Sequence, residues 1–169
     1  HTGHAEKADA FDIPAAFSRQ LSGVFTAYLK IHAALVDDSL EAARNDARAL
    51  LETLNDVDMT LLGHAAHMEW MKHVEDIKAS TQRMADAEQL AEARAAHAQL
   101  SESLISVARR FQVALDRPLR IMHCPMAFSN RGADWLQVAE TLSNPYYGDA
   151  MLRCGSLQEV IEPQRDSGN

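Results

Sequence analysis

The sequence predicts an all-α fold, an up-down four-helix bundle with a C-terminal irregular segment and a short helix packed on it. Apolar residues recur in steps of three and four along four long stretches, the links between those stretches are short, and no stretch shows a convincing strand alternation. A chain of 169 residues with 47% hydrophobic content is long enough for one substantial core. We therefore expect a single domain over 13–162, preceded by a flexible arm over 1–12 and followed by a frayed tail over 163–169.

The arm is polar and lacks periodicity. Pro14 stands where a helix can begin, because its missing N–H is no loss in a first turn. Phe17, Leu21, Val24, Tyr28, Ile31 and Leu35 then fall on one helical stripe. Asp38 with Glu41 three positions on has the layout of a capping box, opening a second helix through Ala43, Ala47, Leu50, Leu51 and Leu54. A third helix is expected between Met59 and Met84, with Met71, Val74 and Ile77 turned inward. A fourth, from about Glu88, carries Ala93, His97, Leu100, Leu104, Val107 and Phe111 and ends before Pro118. Beyond it, Leu119 to Met122 is the one piece that could be extended. Asn144 before Pro145 looks like an N-cap with proline at N1, and Gly155 like a helix stop, which predicts a short helix through Met151.

The charge balance, 16 Lys and Arg against 24 Asp and Glu for a net −8, offers no footprint for nucleic acid or an anionic membrane surface. No apolar run approaches the roughly 18 to 20 residues of a membrane span, so membrane insertion is not expected. A start at His1 without Met fits an exported protein whose signal has been removed, and equally a trimmed chain.

Chemistry concentrates in the segment 120–157. Met122-His123-Cys124-Pro125-Met126 places a thiol, two thioethers and an imidazole within five residues, and Met151 and Cys154 stand three apart on one face of a helical turn. If the two pieces meet, Cys124, Met126, Met151 and Cys154 form a soft donor set of the kind that selects Cu(I), or Ag(I) by similarity of softness. His123 is a fifth candidate, though in an extended piece it would point away from Cys124. The same spacing equally allows a Cys124–Cys154 disulfide, with methionines that merely fill a core. Other histidines offer weaker patterns. His64 and His67, with His73 beyond, share a helical face; His97 sits on a core stripe; His1 and His4 could chelate Cu(II). No Glu-x-x-His, Cys-x-x-Cys, covalent-haem motif or glycine-rich phosphate loop occurs, and no activated nucleophile is evident, so an enzyme is not expected.

Four blocks in one order, Cys124-Pro125-Met126-Ala127, Gly132-Ala133-Asp134-Trp135-Leu136, Asn144-Pro145-Tyr146-Tyr147-Gly148 and Met151-Leu152-Arg153-Cys154-Gly155, carry a family resemblance. With looser likeness at Tyr28-Leu29, Ala34-Leu35, Trp70-Met71, Arg94 and Leu100-Ser101, the chain resembles the domain of unknown function appended to periplasmic adaptor proteins of copper/silver-type heavy-metal efflux pumps, also found as a free-standing secreted protein. His97 is a departure, standing where that family leads us to expect a large apolar residue, often Phe. The resemblance implies a metal-resistance context in the periplasm. The expected function is a periplasmic Cu(I)- or Ag(I)-binding domain, with an efflux adaptor or pump as partner. The alternatives are a structural or interaction module stapled by a Cys124–Cys154 disulfide and, third, a thiol redox enzyme using the same pair.

Overall fold

The computed structural model describes residues 10–163, so most of the expected arm and nearly all of the expected tail lie outside the described residues. Four long helices make the body: α1 (Ala15–Val36), α2 (Leu40–Asn55), α3 (His64–Ala85) and α4 (Leu90–Arg110). The α1 stripe behaves as its spacing requires, with Phe17, Leu21, Val24, Tyr28, Ile31 and Leu35 all fully buried. Ala43, Ala47, Leu50 and Leu54 of α2 face them, as do Trp70, Val74 and Ile77 of α3 and Leu100, Leu104 and Val107 of α4. Phe111 closes one end, its ring 6.0 Å from Phe17 and 6.1 Å from Trp70. Phe11 joins that end through its N–H on the Arg110 carbonyl (2.8 Å) and its ring against Phe111 (5.3 Å).

Two local expectations change. The α2 cap is Ser39, whose hydroxyl accepts from the Ala42 N–H at 3.1 Å. Asp38 instead takes a left-handed conformation (φ 57°) and turns its carboxylate to α4. Met71 points to solvent, because Ala66, Trp70, Val74 and Ile77 already define the buried stripe of α3 and Met71 lies about 100° round the helix from Trp70.

The all-α expectation is corrected by a small antiparallel sheet of β1 (Leu119–Cys124), β2 (Ala133–Gln137) and β3 (Ser156–Ile161), in the order β2-β1-β3. The one piece read as able to extend is thus the central strand. Tyr28 pins the sheet to the bundle: its buried hydroxyl accepts from the Leu136 N–H (3.0 Å) and shares a hydrogen bond with Ser101 Oγ (2.6 Å). The short helix expected through Met151 is a single 3-10 turn, Gly148–Met151. Asn144 acts before it as an Asx-turn residue, accepting from the Tyr146 N–H at 2.8 Å.

Candidate functional site

Pairing within the sheet decides where each donor points. Met122 and Cys124 stand opposite Trp135 and Ala133 on one face, whereas His123 stands opposite Asp134 on the other. Met122, Cys124, Ala127, Trp135 and Tyr146 form a second, smaller apolar cluster, and Cys154 packs against it. His123 is engaged elsewhere, its Nδ1 lying 2.7 Å from Asp134 Oδ1. The structure therefore separates His123 from the sulfur atoms.

Cys124 and Cys154, thirty positions apart, are brought together: both are free thiols and their sulfur atoms lie 3.8 Å apart. Cys124 is fully buried and Cys154 half-buried. The Cys154 thiol is held above its ordinary range by desolvation, and by Cys124, whose sulfur hydrogen-bonds it and disfavours a second thiolate alongside.

Three backbone features produce this approach. Asn144 is fully buried and donates from Nδ2 to the Cys154 carbonyl at 2.7 Å, while its own N–H reaches the Leu152 carbonyl at 2.8 Å. Gly155, at φ 140°, lets the chain lie on β1: a Cβ there would stand 2.7 Å from the His123 carbonyl oxygen. Finally, the Pro125–Gly132 connection holds Phe128, Ser129 and Asn130 in successive left-handed conformations (φ 54°, 58° and 67°). Non-glycine residues adopt that region at a cost, and surrounding contacts must over-determine it. Here the Gly132 N–H bonds the Ala127 carbonyl (3.0 Å) and the Phe128 ring stacks edgewise on Tyr146 (5.3 Å).

Met126 and Met151 flank the thiols and are both well exposed, at 47% and 36%. The Met126 carbonyl accepts from Tyr147 Oη (2.7 Å), and the Cys154 N–H bonds the Met151 carbonyl (3.1 Å), which fixes each methionine's backbone beside its cysteine. Aromatic residues anchor this segment. Trp135 is fully buried with its indole N–H on Gln137 Oε1 (2.9 Å), and the Tyr146 hydroxyl donates to the Asp134 carbonyl. Among the described residues no three His, Cys, Asp or Glu side chains converge as a metal cluster.

Sequence reasoning missed a clasp that holds the Asn144–Gly148 loop to the bundle. Arg94 of α4 donates to the Pro145 carbonyl (2.8 Å), the Leu35 carbonyl (2.9 Å) and Asp38 Oδ1 (2.6 Å), and Asp38 Oδ2 accepts from the Asp149 N–H (3.3 Å). The Arg94 hydrogen bond holds the Asp38 carboxyl below its usual range. Gly148 (φ 56°) passes so near that a Cβ would meet Asp38 Oδ1 at 2.2 Å. The one signal for this was an arginine set among the alanines Ala93, Ala95 and Ala96 on a core-facing helix.

His97 is the other unusual group. It is fully buried, stacked on Tyr28 (4.8 Å, 14°), and neither ring nitrogen has a hydrogen-bond partner. Burial, with a smaller contribution from His32, pushes its pKa well below the ordinary histidine value.

Fold and site together define a four-helix bundle carrying a three-stranded sheet, with a thiol pair held between the sheet and the loop that follows it. The chain belongs to a family described as protein of unknown function (DUF3347), whose sequence model matches residues 24–115. That match runs from within α1 past the end of α4 and stops short of β1 and both cysteines. No curated protein and no solved structure matches the chain.

Proposed function

We propose that the chain is a soft-metal-binding domain of the periplasm, taking Cu(I) or Ag(I) at Cys124 and Cys154 with help from Met126 and Met151. Its role would be to deliver the ion to, or regulate, an efflux assembly. The observation that carries the reading is the 3.8 Å approach of two unbonded sulfur atoms from distant parts of the chain. That distance stands beyond the roughly 2.05 Å of a disulfide bond and within reach of a shared ion. With metal–thiolate bonds near the roughly 2.3 Å found for zinc, sulfurs at 3.8 Å would subtend about 110° at a shared ion. That angle leaves room for further donors. Exposed thioethers are on hand at Met126 and Met151, and they suit hand-over because thioether donors need no deprotonation. The resemblance to domains of copper/silver efflux adaptors supports the same metal and compartment.

One observation favours a second reading, a disulfide-stapled interaction module: Cys124 is fully buried, as structural cysteines usually are. Thiol titration of freshly purified protein and anaerobic Cu(I) titration against a competing chelator separate the two. Two free thiols that Cu(I) protects, with tight binding lost in Cys124→Ser and weakened in Met126→Leu and Met151→Leu, support the metal reading. Absence of any free thiol before reduction, or no Cu(I) binding by the reduced protein, overturns it.

A further inference from the structure

Methionine is ordinarily an interior residue, yet of the seven in this chain Met59, Met68, Met71, Met126 and Met151 are exposed. Two of them flank the cysteines. Two others, Met68 (52% exposed) and Met71 (40%), stand on the outward side of α3 beside His64 and His67. These four occupy positions i, i+3, i+4 and i+7, which at 3.6 residues per turn fall within an arc of about 100°. The buried stripe of Ala66, Trp70, Val74 and Ile77 lies elsewhere on the helix, so none of the four is needed for the core.

The histidines of this arc also differ from the rest. His32 is tied to the Ser143 carbonyl (2.8 Å), His73 to Glu69 (2.9 Å) and His123 to Asp134 (2.7 Å), and His97 is sealed in the core. Among the described residues, no hydrogen bond or ion pair engages the imidazole of His64 or His67. Two uncommitted imidazoles and two solvent-facing thioethers thus share two turns of one helix.

We propose that His64, His67, Met68 and Met71 form a second binding site, on the outer face of α3, for a soft monovalent ion of the Cu(I) or Ag(I) class. The donor set excludes hard cations, which require oxygen ligands. None of the four donors is anionic, and the positive end of the α3 dipole works against any cation held by charge alone. Binding must therefore come from soft donor bonding to sulfur and imidazole nitrogen. This site does not depend on the cysteine pair, and its donors survive conditions that oxidise thiols to a disulfide.

The test uses the full chain carrying Cys124→Ser and Cys154→Ser, with Ag(I) as the redox-inert probe and NMR of methionine methyl and histidine ring signals as the readout. Saturable shifts at Met68, Met71, His64 and His67 are expected. Adding Met68→Leu and Met71→Leu should weaken Ag(I) binding by about tenfold or more, as expected for the loss of donor bonds, while the helical circular dichroism stays unchanged because both side chains are exposed. Unmoved Met68 and Met71 methyls at excess Ag(I), shifts confined to Met126 and Met151, or equal affinity in the leucine variant would each overturn the proposal. Because both thiols are absent, such a failure leaves the cysteine site untouched. Failure of Cu(I) to protect the thiols of the parent protein would leave the α3 site standing.

Discussion

Replacing His97 with Phe should make the protein more stable, and increasingly so as the pH falls. The neutral ring holds one N–H donor and one acceptor, both fully buried and without a partner among the described residues. Each such group costs about 1–3 kcal/mol relative to a paired one. Phenylalanine removes both and keeps the stacking on Tyr28; its larger ring returns some of the gain as overpacking, about 1–3 kcal/mol. A net stabilisation of about 1–3 kcal/mol near neutral pH follows. The pH dependence is sharper. Burial depresses the His97 pKa, and Tyr28, Tyr146 and His32 around it supply no anion to offset this. The unfolded chain therefore binds a proton near pH 6.5 that the folded chain refuses, so stability is full above that pH and drains away below it. Between pH 7.5 and 5.5 this one histidine costs about 1.4 kcal/mol, provided the buried ring stays neutral throughout. Urea unfolding of reduced parent and His97→Phe at the two pH values should thus show the variant's advantage widening by about that amount. A residual slope belongs to His32, whose pKa burial also lowers. A variant less stable than the parent at pH 7.5, with an unchanged pH slope, would refute the reasoning and mean that His97 has partners its surroundings do not reveal.

Tyr28→Phe should destabilise by about 1–3 kcal/mol, since it strands the Leu136 N–H and the Ser101 hydroxyl together. Adding Ser101→Ala should cost less than the sum of the two single changes, measured by the same urea titrations. Gly155→Ala should cost about 1–3 kcal/mol through its left-handed backbone. It should also slow diamide cross-linking of Cys124 to Cys154, because a Cβ 2.7 Å from the His123 carbonyl must push the second cysteine away from β1.

The bundle was legible because each helix repeats its apolar residues with the helical period over three turns or more, and the α1 stripe is buried to the last residue. The sheet was not, and the reasons differ from strand to strand. In β1, buried residues occur on both faces, Ile121 toward the bundle core and Met122 and Cys124 toward the second cluster, so the alternation that marks a half-buried strand is erased. The outer strand β3 fails for the opposite reason: Ser156, Leu157, Gln158 and Val160 are all exposed, leaving no buried face to impose a pattern. The left-handed conformations of Phe128 and Ser129 gave no signal, because phenylalanine and serine are not residues that turn chemistry assigns to positive φ. Within the candidate site, local spacing could pair each methionine with its neighbouring cysteine but could not bring the halves together. What joins them is Asn144 gripping the Cys154 carbonyl, Gly155 lying on β1, and Arg94 holding the intervening loop to the ends of α1 and α4. All three act through backbone atoms, which a sequence does not display. They also bear on the chemistry, because backbone bonds from both sides hold the thiol pair at its 3.8 Å approach. On the proposed metal reading, ion capture would not first have to order the segment, because the entropy of closing a thirty-residue loop is met in folding and not in binding.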